Sequence, residues 1–196
     1  VGIVRPVGDY ELASRLSYFL WSSTPDDELL GLAGKNKLHE DAVLQQQIRR
    51  MLADNKIQAL VDNFVTQWLN LRLLDGVAPD PQVFPQFDTE LKTAMRRETE
   101  LFAAAIIKED RSVLDFLGGR FTYVNQRLAE HYGISGVEGS EFQRVNFADN
   151  NSTDKRRTGV LTQASILTLT SNPGRTSPVK RGKWMLENIL GSPPPD

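Results

Sequence analysis

The stretch KIQALVDNFVTQWLNLRL, residues 56–73, is the clearest guide to the fold class. Its apolar residues recur three or four positions apart, which places them on one face of an α-helix. They are Ile57, Leu60, Val61, Phe64, Val65, Trp68 and Leu69. The spacing therefore predicts a long amphipathic helix over 56–73 that packs this face against a core.

Comparable helical patterns extend from this stretch toward both ends of the chain. Capping signals support them, since Asp88 and Thr122 precede apolar-periodic runs and Gly133 ends one. Residues 141–147 alternate with a period of two, which is typical of a short strand. We predict an all-α fold, a compact multi-helix body of about eight helices with at most one short β element. The other predicted helices cover 9–21, 24–34, 40–54, 88–109, 122–132, 158–170 and 177–190, with a helical turn at 112–117.

The composition is that of an ordinary globular chain. Its 196 residues carry 23 Lys and Arg against 25 Asp and Glu, a net charge of -2, which argues against a nucleic-acid binder with its basic excess. The chain has no cysteine, so it cannot hold a disulfide or a covalently attached c-type haem. No apolar run approaches the roughly 20 residues of a membrane span. Because the chain begins at Val1 and stops in a proline run, we expect a piece of a longer polypeptide.

Two charged residues fall inside predicted apolar stripes. Glu98 interrupts the stripe of helix 88–109, and Arg15 interrupts that of helix 9–21. A buried carboxylate needs a partner or a raised pKa, so we hypothesise a structural, buried Arg15–Glu98 pair. The alternative is that Arg15 pairs with Glu11 one helical turn away. Leu101 stands where the Glu-x-x-His pattern of carboxylate metal sites needs histidine, so no metal site is predicted.

The segment TSNPGRTSPVKRG, residues 170–182, carries the strongest signal for a binding site. It combines a loop, a predicted helix start at Ser177 and the basic side chains of Arg175, Lys180 and Arg181. Backbone N–H groups and basic side chains together suit an anion, so the segment is a candidate for binding an anion or a partner. The alternative is structural, with Ser177 capping the helix and the arginines tying down the loop. His131, at the end of helix 122–132, is a further candidate for this site.

Longer motifs resemble two known families. The resemblance to domain of unknown function 1592 rests on residues 11–23, 63–64 with 67–69, 84–87 and 122–134. Residues 159–165 and 176–184 are similar to domain of unknown function 1588. The resemblance implies a helical domain at 1–135 and a helical C-terminal part at 136–196, with a seam at 136–151.

The resemblance also implies a cellular context. These domains occur in large exported proteins of planctomycetes and some other bacteria, often linked to a c-type cytochrome domain with a Cys-x-x-Cys-His motif. We therefore expect an extracytoplasmic location, with other domains of the same polypeptide as partners, a cytochrome c domain among them. A c-type haem would belong to that parent and not to this chain. The families supply no catalytic residue to carry over.

Three functions remain open from the sequence. The leading one is an accessory, scaffolding or binding module without chemistry of its own, with both arginines bonded internally. The second is part of a haem-dependent oxidoreductase whose active site lies between this module and a haem domain. Arg175, Ser177, Arg181 and His131 would then line a concave face. The third is a surface-polymer or carbohydrate binder, which needs an open tryptophan face. The candidates for that face are Trp21, Trp68 and Trp184.

Overall fold

The structure, a computed structural model, describes residues 6–147 and 157–195. The end of the seam expected at 136–151 lies outside these residues. The chain divides into two compact units, Val1–Phe64 and Val65–Asp196, so the division falls inside the expected 1–135 domain. The described residues contain ten α-helices and two pairs of short antiparallel strands. The predicted mainly helical fold is confirmed, and the described residues contain four short strands where at most one short β element was expected.

The first unit is built from three helices and shorter helical segments. Trp21 and Met51 are both buried, and the Trp21 indole N–H donates to the Met51 carbonyl at 3.0 Å. Asp26 caps the second helix by accepting from the Leu29 N–H at 3.0 Å. Arg50 donates to the same carboxylate at 2.7 Å, which fixes the third helix against that cap. The helices are α1 (Asp9–Trp21), α2 (Asp27–Gly34) and α3 (Asp41–Ala53).

The long helix predicted over 56–73 is replaced by a succession of short segments. Asn70 has a left-handed φ of 58°, which stops α-helical geometry before residue 73. Ile57, Val65 and Leu69 are nevertheless fully or almost fully buried, whereas Phe64 is 47% exposed. The apolar spacing therefore marked most of the inward face correctly, but not Phe64. The segments are a 3₁₀ turn (Asn55–Ile57), α4 (Gln58–Leu60), a π-helical segment (Val61–Val65), α5 (Thr66–Trp68) and a 3₁₀ segment (Leu71–Gly76).

The second unit is organised around one long helix, α6 (Thr89–Lys108). β1 (Phe121–Val124) pairs with β2 (Gln143–Asn146) in antiparallel register, with Phe121 opposite Asn146. A second small hairpin pairs Ser171 with Thr176. The elements after α6 are α7 (Asp115–Gly118), β1 (Phe121–Val124), α8 (Gln126–Tyr132), β2 (Gln143–Asn146), a 3₁₀ turn (Val160–Thr162), α9 (Ala164–Leu169), β3 (Ser171–Asn172), β4 (Arg175–Thr176), α10 (Pro178–Trp184) and a π-helical segment (Met185–Ile189).

Side-chain caps fix where the helices of this unit begin. Asp88 accepts from the Leu91 N–H at 2.6 Å and starts α6, as predicted. The prediction that Thr122 caps the next helix is wrong, because Thr122 lies in β1 and is paired with β2. Asn125 caps α8 instead, accepting from the Leu128 N–H at 3.0 Å. Strand pairing with residues about twenty positions away overrides the local capping signal there.

Candidate functional site

A groove of about 930 Å³ opens on the second unit. The loop 76–87 forms one wall, and the end of α9 with the β3–β4 hairpin forms the other. Leu91 and Met95 of α6 reach it from the buried core below. The volume lies near the top of the range of roughly 300–1,000 Å³ that is typical of ligand pockets.

One backbone hydrogen bond joins the loop wall to the hairpin wall. The Asp80 N–H donates to the Pro173 carbonyl at 2.9 Å, which ties the loop to the hairpin turn. The loop also carries exposed apolar side chains, since Val83 is 52% and Phe84 is 44% exposed. The sequence did not indicate that this loop belongs to the site. Its three prolines indicate a fixed loop, but not what the loop faces.

Three basic residues of the predicted site line the groove, and we name Arg175, Lys180 and Arg181 its cationic edge. Arg175 and Lys180 are exposed, and Arg181 is half-buried. An accessory module was expected to bond both Arg175 and Arg181 internally, but the described contacts give a side-chain hydrogen bond to Arg181 and none to Arg175. Arg181 donates to two threonine hydroxyls at 3.2 and 3.3 Å, and the Lys180 ammonium lies 3.5 Å from the Ser171 carbonyl. Within the described residues, none of the three has a carboxylate partner, and no acidic side chain lines the groove.

His131 lines the same groove, far along the chain from the cationic edge. Desolvation by surrounding protein atoms lowers the pKa of His131, and the positive charges of Arg157 and Arg127 lower it further. The imidazole is therefore mainly neutral at pH 7. It contributes a hydrogen-bonding side chain to the groove and no positive charge.

Ser177 has a structural contact, as the alternative interpretation proposed. Its hydroxyl accepts from the Lys180 N–H at 3.3 Å and caps α10, and Pro178 occupies the first helical position. Ser177 is not among the residues that line the groove. The structure thus brings Arg175, Lys180, Arg181 and His131 to one groove, whereas Ser177 contacts Lys180 but does not line the groove.

Glu98 is buried, as its place in the apolar stripe predicted, and is 1% exposed. The Thr122 hydroxyl donates to one carboxylate oxygen at 2.6 Å, and the Tyr132 hydroxyl donates to the other at 2.5 Å. Tyr132 in turn accepts from the Ala164 N–H at 2.7 Å. Burial raises the pKa of Glu98 to about 7, while these hydrogen bonds and the charge of Arg157 oppose the rise.

The hypothesis of a buried Arg15–Glu98 pair needs correction. The Arg15 side chain is 64% exposed and donates to Glu11 at 2.6 Å, the local alternative. Glu98 takes its hydrogen bonds from Thr122 and Tyr132. Sequence alone could not assign those two partners, because a strand and a separate helix bring them to α6. Glu98 is therefore a structural residue in the interior of the second unit.

No tryptophan offers the open face that a carbohydrate binder needs. Trp21 is 4% and Trp184 is 7% exposed. Trp68 is half-buried and packs edge-to-face on Phe116, with ring centroids 5.1 Å apart. The Trp68 indole N–H also donates to the Asn188 carbonyl at 2.5 Å. The structure therefore does not favour the carbohydrate-binding interpretation.

Two further observations bear on cofactors and membranes. In the ranges 6–147 and 157–195, no group of three or more His, Asp and Glu side chains is placed to hold a metal ion. In the same ranges, no helix has both the length and the apolar character required to cross a bilayer. The whole sequence lacks cysteine, so no thioether bond to a haem can form here.

Comparison with protein families finds two matches, in the order that the sequence motifs indicated. The family described as Protein of unknown function (DUF1592), short name PSD4, matches residues 7–134. The family described as Protein of unknown function (DUF1588), short name PSCyt3, matches residues 157–196. Searches of curated proteins and of solved structures find no match.

Proposed function

The chain belongs to the DUF1592 family, with a DUF1588 segment after it, and from this premise we propose that it is a binding module of a larger polypeptide. The observation that carries the proposal is the groove of the second unit. Its walls expose apolar side chains, and its cationic edge lacks internal carboxylate partners in the described residues. Exposed apolar surface next to unpaired charge is typical of a surface that a partner covers.

The hydroxyl groups of the groove support binding more than nucleophilic chemistry. Nucleophilic catalysis needs a hydroxyl within about 2.6–3.2 Å of a base such as histidine. Ser171 donates instead to the Leu167 carbonyl at 2.7 Å, and Thr176 accepts from Arg181 at 3.2 Å. The third groove hydroxyl, that of Thr168, donates to the Met95 sulfur at 3.8 Å. Among the described contacts, none of the three hydroxyls is hydrogen-bonded to His131. The module therefore has no chemistry of its own in this proposal.

The partner in this proposal is another domain of the same polypeptide, exported from the cytoplasm and linked to a c-type cytochrome domain. Support comes from the sequence resemblance to exported, cytochrome-linked proteins. Because this chain lacks cysteine, the haem of such a protein would be attached to another domain. A tethered partner needs little intrinsic affinity, since the tether gives it a high effective concentration.

Photo-crosslinking of the native polypeptide tests the proposal. A photoreactive residue is placed in the groove wall with Val83→p-benzoylphenylalanine, where the side chain is 52% exposed. The matched control is Val113→p-benzoylphenylalanine, at a valine that is 70% exposed and does not line the groove. We expect residue 83 alone to crosslink to a segment outside this chain. Equal crosslinking from both positions would contradict a partner in the groove.

One observation favours a second candidate, the oxidoreductase. Arg175 is exposed at a concave face that His131 and Arg181 also line, the arrangement expected of half an active site. The test is the haem absorption spectrum of the native polypeptide with Arg175→Ala or His131→Gln, against Lys183→Ala as control. A Soret shift in the first two variants alone would support this candidate. A spectrum that does not respond to them would favour the binding module.

A further inference from the structure

We propose that the occupant of the groove is a short acidic polypeptide segment that carries an aromatic or aliphatic anchor residue. This inference rests on the proposed function, because it assigns a chemistry to the partner of the same groove. Charge, apolar surface and size each support it separately.

Charge pairing separates the cationic edge from five other arginines of the second unit, although Arg72, which is exposed, also has no carboxylate partner among the described contacts. Five arginines elsewhere in this unit have a carboxylate oxygen within 3.1 Å. The described part of the chain supplies no such partner to the cationic edge. The nearest acidic residue of the loop wall, Asp80, does not line the groove, and its carboxylate accepts from the Gln82 N–H at 2.9 Å. An occupant with carboxylates would complete the pairing that the fold supplies at the other sites. The five paired arginines are Arg96, Arg97, Arg111, Arg127 and Arg144.

The apolar wall requires more than charge from the occupant. Val83 and Phe84 expose about half of their surface at the groove, close to the core residues Leu91 and Met95. Covering such surface is favourable in proportion to the apolar area removed from water. A purely hydrophilic acidic segment would leave the apolar surface of this wall exposed to water. An aromatic or aliphatic side chain between the carboxylates would cover it and add affinity.

The size of the groove points to a short segment. A volume of about 930 Å³ accommodates a few side chains and no folded domain. Phe84 of the loop wall and Arg175 of the hairpin wall are both exposed, so the groove is open to solvent between them and a chain can enter and leave it. His131 is mainly neutral, and it therefore adds a hydrogen-bonding group without a further demand for negative charge.

Fluorescence anisotropy with the full chain tests the chemistry of the occupant. The probe is fluorescein-labelled Gly-Glu-Glu-Phe-Glu-Leu-Gly. Matched probes replace every Glu by Gln, or replace Phe and Leu by Ala. We expect the Gln probe to bind about tenfold more weakly and the Ala probe about fivefold more weakly. Raising the salt from about 0.05 M to about 0.5 M should weaken the acidic probe and leave the Gln probe almost unchanged.

Charge reversal on one helix supplies the matched protein variants. Lys180→Glu reverses a charge of the cationic edge. Lys183→Glu reverses a charge in α10 that lies outside the groove and 3.5 Å from Glu187. Both side chains are exposed, so both variants should keep the circular dichroism of the wild type. We expect Lys180→Glu to weaken the acidic probe about fivefold and Lys183→Glu less than about twofold.

Three results would overturn the acidic segment. One is equal affinity for the Glu and Gln probes, and another is an equal loss from both charge reversals. The third is tight binding of laurate without binding of the acidic probe, which would indicate a small anionic amphiphile. Crosslinking from residue 83 together with any of these results would leave the binding module in place and remove only the acidic segment. Absence of that crosslink would contradict the proposed function itself.

Discussion

Glu98 and the cationic edge are two sites of the same unit with ionisable side chains. They differ in whether the described residues of that unit provide their hydrogen-bonding or ion-pair partners. Glu98 is almost completely buried, and both of its oxygens accept hydrogen bonds from hydroxyl groups of the same unit. The cationic edge lies at an open groove, and the described residues provide no carboxylate for it. A charge whose partners are all internal serves the fold, whereas charges without internal partners are available to another molecule.

The comparison also shows that an unusual residue in a sequence can have a structural role or a binding role. Glu98 draws attention because a carboxylate interrupts an apolar stripe, which is also where catalytic acids occur. Its environment is closed, and its contacts join α6, β1, α8 and the start of α9. The cationic edge lies on an exposed hairpin and helix. It is less unusual as a sequence feature than Glu98, but it says more about what the protein binds.

The largest effect that sharpens the comparison is the pH dependence of stability from Glu98. Its pKa is raised by burial from an ordinary 4.5 to about 7, so the folded state holds a proton that the unfolded state has released between these values. The contribution of Glu98 to the free energy of unfolding therefore falls by roughly 3 kcal/mol as the pH rises from 4.5 to 7. Above pH 7 this contribution no longer changes with pH.

Urea unfolding of wild type and Glu98→Gln across this range isolates the effect. The two unfolding free energies must be subtracted because His131, whose pKa is lowered, makes its own contribution to stability, which rises with pH. We expect the stability of the wild type relative to Glu98→Gln to decline steadily up to pH 7. A difference that stays constant with pH would mean that the carboxylate is not held in its neutral form by burial.

The next effect comes from the hydroxyl that joins Glu98 to α9. Tyr132→Phe leaves a buried carboxylate oxygen and the buried Ala164 N–H without this partner. We expect the free energy of unfolding at pH 7 to fall by about 2 kcal/mol. Tyr123→Phe is the control, since the described structure gives the Tyr123 hydroxyl no hydrogen-bond partner. Equal losses from the two variants would show that the effect does not come from the hydrogen bonds of the Tyr132 hydroxyl.

A smaller effect distinguishes the cap from the groove. Ser177→Ala removes the hydroxyl that caps α10, so stability should fall by about 1 kcal/mol. Because Ser177 does not line the groove, the affinity for the acidic probe should stay within about twofold of wild type. Anisotropy and urea unfolding on the same sample measure both quantities. A loss of probe affinity without a loss of stability would place Ser177 in the binding surface.

Local sequence patterns predicted most helices of this chain well. α1 spans the predicted range 9–21, although Gly8 and not Asp9 occupies its N-cap position, and Asp88 starts α6 as expected. Errors arose where non-local or backbone effects prevail. Thr122 joins a strand because β2 pairs with it, and the helix over 56–73 is divided in part because Asn70 adopts a left-handed conformation. Hydrophobic spacing reports which face is inward, not the conformation of each residue.

The candidate site was predictable in part for the same reason. Arg175, Lys180 and Arg181 stand close together in sequence, so a local pattern revealed them. Val83 and Phe84 were missed as groove residues, because the fold brings their loop to the hairpin through one long-range hydrogen bond from Asp80 to Pro173. The partners of Glu98 were missed likewise, since three separate elements bring them together.

The most direct test of the account is the free energy of unfolding of the double variant Arg175→Glu/Lys180→Glu, measured with urea at pH 7. If the cationic edge is available to a partner and not to the fold, reversing two of its charges should change stability by less than about 0.5 kcal/mol. That result, beside the larger loss from Tyr132→Phe, would support the distinction between the two sites. A loss of about 2 kcal/mol or more in the double variant would contradict it.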